Sequence, residues 1–465
     1  MRPIQMLLCR ISKEMTKNRK HVNMKIKRSV VLAVQIAVLF AGNHAWGADL
    51  MDVYRDALSQ DPVYASARYG YDVGKEAYPQ ARAGILPSIS LAAGVSRNHR
   101  ATEGLPTLDY NAHSYSLSLS QPLFRMQNWI VVDQAGMQVK QAEAVFADAS
   151  QSLIVRTAQA YFDVLLAQDN VSLSGAQKKA ISEQLAQAKR NFEVGTATIT
   201  DTYEAQAKYD LAVAKEISDL NDLQIKNRAL QQLIGKLPAS LAPLRDNPRL
   251  ALPEPAEMEQ WVKAAEEASP VVAQLRLAYE IAVKEIDRNQ GGHMPTVDLI
   301  GSYGNGNSPL TNATGAFAGM IDTKSAAIGL SLNIPLFQGG GTQSRIRQAL
   351  ANKERAAQDL ENTKRTVAQN VRQSYLGVTN GVLQVKALEA ALVSNKSSLD
   401  ATVLGKEVGV RTNVDVLNAQ QQLFQAQRDL QQARYATILS QLRLKSAAGR
   451  LKDIDLAEVN LLLAK

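Results

Sequence analysis

Proline placement constrains the fold of this chain more than any other feature of its sequence. No proline occurs between Pro122 and Pro238, or between Pro335 and the last residue, Lys465. Because proline breaks the interior of a helix, both stretches are free to form very long helices. Residues 127–192 alone would form a helix of about 100 Å at a rise of about 1.5 Å per residue. Such a length is improbable inside a globular domain and predicts coiled-coil packing.

The two proline-free stretches contain the same turn motif. The segments FEVGTATITD (192–201) and KEVGVRTNVD (406–415) share Glu-Val-Gly, then a Thr three residues later, then an Asp three residues after that, at an offset of 214. The same offset relates RTAQAYFDVL (156–165) to NVRQSYLGVT (370–379). An offset that holds at several sites predicts an internal duplication.

The duplication divides the chain into five predicted segments. These are a signal peptide with an N-terminal extension (1–47), a first repeat (48–235), a proline-rich linker (236–255), a second repeat (256–450) and a C-terminal periplasmic segment (451–465). In each repeat, two strands precede one long helix hairpin. The predicted strands are 87–97, 113–122, 295–304 and 325–335, and the predicted hairpins are 127–235 and 341–449.

The excess of positive charge belongs to the predicted leader. The whole chain has a formal charge of +8, but residues 48–465 contain equal numbers of basic and acidic residues, so the charge does not indicate nucleic acid as a partner. After Met24, which is an alternative start to Met1, come basic residues, a short apolar run and a small-x-small site before Ala48. This is the pattern of a secretory signal peptide. The only cysteine, Cys9, leaves with the leader, and the mature chain therefore has no disulfide.

The segments between the prolines alternate apolar and polar residues, as half-buried strands do. Examples are SISLAAGVS (88–96) and YSLSLS (115–120). Two interpretations are open: a soluble sheet that buries its apolar face on a helix, or membrane-spanning strands with lipid on the apolar face. Bacterial membrane barrels begin at about eight strands, and open sheet edges cannot lie in lipid. The membrane interpretation therefore requires an oligomer.

The duplicated plan and the stretch EVGVRTNVDVLNAQQQLFQAQRDLQQARY (407–435) resemble the TolC family of outer-membrane efflux and secretion ducts. The resemblance covers residues 48–450. It implies an α+β membrane protein that forms a homotrimer, with a twelve-stranded outer-membrane β-barrel continuous with a twelve-helix periplasmic α-barrel.

The resemblance also implies a function and partners. The chain would be the exit duct of a tripartite efflux or type I secretion system, in contact with outer-membrane lipid and extending into the periplasm of a Gram-negative bacterium. Its implied partners are a periplasmic adaptor (membrane fusion) protein and an inner-membrane ABC or proton-driven transporter. The exported substrate is not identified by the sequence.

The resemblance assigns roles to residues at the two turns. Asp415 corresponds to an acid of the cation-binding ring at the periplasmic entrance, and Asn418 stands where close relatives can carry a second acid. Arg411 corresponds to a constraining arginine, with Asp201 and Thr200 as its partners on the first turn. From the residues alone, Asp201 and Asp415 could instead cap the return helices by accepting from free N–H groups.

Further positions are assigned by the same resemblance. Gln184 corresponds to a linking position at the gate, and Lys406 stands where relatives carry a gating tyrosine, so the chain departs from the family pattern there. Four turn residues correspond to the tips on which the adaptor docks: Val194, Gly195, Val408 and Gly409.

The sequence does not indicate an enzyme or a cofactor. His99, His113 and His293 are scattered without metal-ligand spacing. The glycines at 339–341 lack the Lys-Ser/Thr of a phosphate-binding loop. Two alternatives to the duct stay open: a periplasmic coiled-coil adaptor or scaffold, and a self-sufficient porin.

Overall fold

The computed structural model describes residues 47–246, 248–312 and 317–464, so the predicted signal peptide, apart from Gly47, lies outside the described residues. The α-helices are α1 (Leu50–Gln60), α2 (Pro62–Lys75), α3 (Ala77–Ala83), α4 (Met126–Glu193), α5 (Ile199–Ile234), α6 (Met258–Ala268), α7 (Pro270–Gln290), α8 (Gly341–Glu407), α9 (Asn413–Ala447) and α10 (Asp453–Asn460). A short 3-10 helix, Gly291–His293, follows α7. The strands are β1 (Ser88–Arg100), β2 (Leu108–Phe124), β3 (Thr296–Thr311) and β4 (Phe317–Asn333).

The four strands form one antiparallel sheet in the order β1-β2-β3-β4. Each strand is longer than predicted, because the segments rich in Gly, Asn and Thr that lie between the predicted strands continue the backbone ladder. Arg97 pairs with Asn111, and Asn307 pairs with Asp322. Ladder hydrogen bonds join backbone groups, so polar side chains do not end a strand that has a partner. Pro122, predicted to end a strand, lies inside β2 beside a register shift, where a residue without an N–H is tolerated.

One face of the sheet is an exposed apolar surface. The register places Ile89 beside Leu119, and Leu119 beside Gly301, which in turn pairs with Ile328. The side chains of Ile89 and Ile328 are 68% and 78% exposed. A soluble sheet would cover such a face with a helix, and none of the helices in the described residues covers this one.

The long helices form a layer in the order α5-α4-α9-α8. Helix α4 packs against α5 on one side and α9 on the other, and α9 packs against α8. The largest core lies toward the middle of the protein, where α1, α10 and the end of α5 pack around α4 and α9; it includes Leu50, Tyr161, Phe162, Ile438 and Leu456. A smaller cluster near the turns contains Ile181, Leu185, Ala205 and Leu417.

The described residues of the predicted linker form no helix, but they pair with both ends of the described chain through bridges of Leu241 with Ala48 and Leu244 with Leu463. The division into a leader, two repeats, a linker and a C-terminal segment stays a prediction. In the described ranges, every helix is either too short or too polar to cross a membrane.

Candidate functional site

The first turn joins α4 to α5. Val194 ends α4, and Gly195 follows with φ of 77°, a left-handed conformation that glycine adopts without strain. Helix α5 then begins with a capping box. The Thr198 hydroxyl accepts from the Asp201 N–H at 3.3 Å, and Asp201 Oδ2 accepts from the Thr198 N–H at 3.0 Å. Two N–H groups that would otherwise lack partners are thereby satisfied.

The second turn repeats this geometry between α8 and α9. Val408 ends α8, Gly409 has φ of 79°, and the Thr412 hydroxyl accepts from the Asp415 N–H at 3.2 Å. Asp415 Oδ2 accepts from the Thr412 N–H at 2.8 Å. The repeated motif thus encodes one turn twice, and the structure gives both acids the capping role that the sequence left open.

Asp415 is held as a carboxylate at the second turn. Bonds from the backbone N–H and the hydroxyl of Thr412 lower its pKa, and the charge of Arg411 lowers it further. Asn418 lies three residues further along α9, on the same face as Asp415, and is exposed. Asp415 therefore combines capping with a negative charge that is accessible to solvent.

Arg411 and Asp201 are not joined within one chain. Among the described residues of a single chain, neither a hydrogen bond nor an ion pair connects Arg411 to Asp201 or to Thr200. The Arg411 side chain folds over Gly405, where an added Cβ would lie 2.8 Å from its Cγ. Thr200 contacts the Thr198 hydroxyl at 2.8 Å instead. The predicted link between these residues stays a prediction.

Lys406 bridges the two hairpins. Its Nζ donates to Gln184 Oε1 at 3.2 Å and Gln187 Oε1 at 3.1 Å, both on α4, and to Asn413 Oδ1 at 2.8 Å at the start of α9. Burial lowers the pKa of this lysine, which has no carboxylate among these partners. The bridge spans a groove of about 270 Å³ between the turns, which Asp201 and Thr412 also line.

Two of the three partners of Lys406 were not predicted from the sequence. Lys406 departs from the family's tyrosine, yet it contacts Gln184 all the same. Gln187 and Asn413 were not selected. Gln187 follows Gln184 by three residues and so shares its helix face, which was the available signal. Asn413 lies seven residues after Lys406 in the same hairpin, and the turn at Gly409 brings the two side chains together.

The sheet exposes an apolar face. The long helix hairpins continue from this sheet and carry their capped turns to a distance of roughly 100 Å along α4. These features are those of an outer-membrane duct. The chain belongs to the family described as "Outer membrane efflux protein", whose sequence pattern matches residues 53–236 and 261–450.

Relatives extend over almost the whole chain. The chain is 34% identical to outer membrane protein TolC of Vibrio cholerae, over 94% of this chain and 98% of the relative. It is 31% identical to the alkaline protease secretion protein AprF of Pseudomonas aeruginosa, over 93% and 91% respectively. The crystal structure of the outer membrane protein VceC from Vibrio cholerae has the same fold, with a TM-score of 0.72 and 19% identity over 87% of this chain and 99% of that one.

These comparisons confirm the predicted family, the α+β fold class, the location in the outer membrane of a Gram-negative bacterium, and the function as an exit duct for efflux and secretion. The family is one of channel proteins rather than enzymes.

Proposed function

We propose that three copies of this chain form the duct, with the two turns of each copy at its periplasmic entrance. The observation that carries this proposal is that a single copy has open edges in both of its layers. In the sheet, β1 and β4 are the edge strands. Unpaired backbone groups of an edge strand find no water in lipid, and four strands are too few to close on themselves. Strands of neighbouring copies therefore complete the sheet.

The helix layer has the same property. Its edge helices are α5 and α8, which expose large apolar side chains such as Leu211 on α5 and Val393 and Leu404 on α8. Over its last third, from Lys386 to Glu407, α8 has no buried residue within the described chain. Apolar side chains exposed along a long helix favour a neighbouring surface that covers them. The α5 edge of one copy and the α8 edge of the next supply such surfaces to each other.

The family resemblance supports three as the number of copies, giving twelve strands and twelve long helices. In such a trimer, Asp415 and Asn418 line the entrance, and Arg411 of one copy reaches Asp201 and Thr200 of the next. Among the described residues no bond joins Arg411 to Asp201 within one chain, and the two bonds that Asp201 accepts from Thr198 both end on Oδ2, so Oδ1 is available for this contact.

The exposed turns suit docking of a partner. The side chains of Val194 and Val408 are 72% and 68% exposed, and each precedes a glycine, Gly195 or Gly409, that adds no side chain. We propose that a periplasmic adaptor contacts these tips and connects the duct to an inner-membrane ABC or proton-driven transporter.

The assembly is tested by the mass of the purified protein in detergent, measured by light scattering corrected for bound detergent, and by its conductance in planar bilayers. We expect a trimer that conducts. A monomer that inserts stably in lipid, or a trimer that does not conduct, would contradict the proposal.

A further inference from the structure

A groove of about 300 Å³ lies where α4, α5 and α9 meet, far from the turns. Three of the side chains that line it are basic: Arg156 on α4, Lys226 on α5 and Arg443 on α9. Asp163 on α4 is the one acid among the described residues that line the groove. We call it the basic groove, and both hairpins of the chain contribute to it.

The acids around the basic groove do not balance its positive charge. Arg156 is paired, because its Nη2 donates to Oδ2 of the buried Asp61 at 2.6 Å. Lys226 Nζ lies 3.4 Å from Asp163 Oδ2, which is a long ion pair. Over the described ranges, no carboxylate lies within ion-pair distance of Arg443. The groove therefore has one positive charge in excess.

Arg443 binds a neutral side chain instead. Its Nη2 donates to Gln159 Oε1 at 2.6 Å, and Gln159 Nε2 donates in turn to Asp163 Oδ1 at 2.6 Å. The Arg443 side chain is exposed, so the groove is open to solvent at this point. A guanidinium carries five N–H donors, and one amide acceptor leaves others available for an anion.

The charges of the basic groove are not needed to build a hairpin. The internal duplication relates Arg156, Asp163 and Lys226 to Asn370, Gly377 and Ser440, each 214 residues later. The second hairpin has a long helix and a return helix like the first, and yet it has no charge at these three positions. A set of charges that one repeat carries and the other folds without points to a role other than folding.

The basic groove lies on the side of the helix layer that faces away from the core around α1 and α10. Tyr161 marks the core side of α4, since its hydroxyl donates to the Ala242 carbonyl of the linker at 2.8 Å. Gln159 and Asp163 are each two residues from Tyr161, which places them on the opposite side of the helix. In the proposed duct, α1, α10 and the linker lie outside, because they would otherwise fill the channel. The basic groove then faces the channel.

We propose that the basic groove binds oxyanions, namely the carboxylate or phosphate groups of a substrate in the channel. Arg443 and Lys226 supply the positive charge, and the planar donors of a guanidinium match the oxygen atoms of such a group. The position of the site in the channel rests on the proposed function. The groove itself is complete within one chain, so three copies would place three such sites at one height.

The test is calorimetric titration of the detergent-solubilised protein with tripolyphosphate and, separately, with citrate, at low ionic strength. We expect the parent to bind, and the double variant Arg443→Gln with Lys226→Gln to raise the Kd by about tenfold, because both cations are lost. Arg443→Lys keeps the charge and should bind nearly as the parent does. The tighter of the two probes identifies the preferred group as phosphate or carboxylate.

Two further variants separate binding from a structural role. Asp163→Asn removes the acid of the groove and should lower the Kd by about threefold, since the positive charge then increases. A purely structural role of these side chains gives no such gain. Arg228→Gln is the control: Arg228 lies two residues after Lys226, is exposed, and donates to Gln231 Oε1 at 2.7 Å. It should leave the Kd unchanged.

Channel block is the second measurement. In planar bilayers, tripolyphosphate added on the side of the sheet reaches the basic groove without passing Asp415, and it should block the parent more strongly than the double variant. No binding by the parent, an equal Kd in the parent and the double variant, or weaker binding in Asp163→Asn would overturn the inference. If the parent binds the probe but its trimer does not conduct, the proposed function fails and the oxyanion site stands.

Discussion

Leu185 in the first hairpin and Leu399, its equivalent 214 residues later in the second, have the same side chain in different surroundings. Leu185 is buried in the cluster near the turns, and Leu399 is only partly covered. The turns below them are nevertheless alike, with Gly195 and Gly409 in the same left-handed conformation and the same capping box after each. The two hairpins therefore share their turn and differ in how their helices pack.

The difference follows from the position of each helix in the layer. Helix α4 lies between two neighbours and has buried residues from Ile130 to Ala188. Helix α8 lies at an edge, and its buried residues extend from Thr342 only to Val385. Turn geometry depends on residues a few positions apart and is the same in both copies, whereas burial depends on what lies beside the helix. Helix α4 is therefore covered on both sides within one chain, whereas the last third of α8 is not.

The largest effect is expected at the exposed edge formed by the last third of α8. We expect the double change Val393→Asp with Leu404→Asp to abolish the trimer, because both side chains are exposed in one chain and would be covered by the next. Burying two unpaired carboxylates at such a contact costs several kcal/mol. Size-exclusion chromatography with light scattering in detergent measures the loss.

Ser394→Asp is the control for that variant. Ser394 is exposed and directly follows Val393, so it points to a different side of the same helix. It should remain trimeric. A double variant that stays trimeric would show that the exposed edge of α8 faces solvent in the assembly, and the proposed difference between the hairpins would then have no role in assembly.

A smaller effect should distinguish Asp415 from Asp201, the two acids that cap the return helices. We expect Asp415→Asn to raise the concentration of a trivalent cation that half-blocks the channel from the periplasmic side by about tenfold, or about 1.4 kcal/mol. The substitution removes the charge but keeps an oxygen that can accept from Thr412, so the turn is preserved. Attraction of the cation to the carboxylates of three copies is lost. Bilayer recordings with increasing cation concentration measure the block.

Asp201→Asn in the first turn is the matched control and should leave the half-blocking concentration unchanged, because this acid is assigned to the gate rather than to the ring. Equal effects of the two substitutions would show that the turns are equivalent in the assembled duct. No effect of Asp415→Asn would mean that Asp415 acts as a cap alone.

The features that the sequence predicted are those set by neighbouring residues. Thr198 and Asp201, three positions apart, specify a capping box whatever surrounds them, and the family resemblance supplied the assembly. The contact between the two hairpins was not predictable in the same way. Helix α9 buries two stripes of residues, one that includes Ala426 and Leu430 and a second with Leu417, Tyr435 and Ile438. A helix between two neighbours buries two faces, and adjacent apolar residues then obscure the periodicity of each.

The smallest effect is expected at the two capped turns, where the two hairpins have the same geometry. We expect Thr198→Ala and Thr412→Ala each to weaken the first turn of its return helix by about 1 kcal/mol, the usual cost of removing a threonine cap. The corresponding amides near Asp201 and Asp415 should exchange about fivefold faster. Hydrogen exchange followed by mass spectrometry measures both turns in one experiment, with each turn as the control for the other. A response at one turn only would contradict the equivalence of the caps.

Acid should weaken the cap at the second turn. The bonds from Thr412 lower the pKa of Asp415, so this carboxylate binds protons less readily in the folded protein than in the unfolded chain. The resulting stabilisation is fully present above the ordinary aspartate pKa of about 3.9, and it is lost as the pH falls through the lower pKa of the folded state. Exchange at the start of α9, corrected for the intrinsic pH dependence of exchange, should therefore accelerate below about pH 4 in the parent protein. In Asp415→Asn, which has no carboxylate at this position, that acceleration should be absent. If the parent and the variant respond equally to acid, the carboxylate of Asp415 does not stabilise the second turn, and Thr412 alone caps the helix.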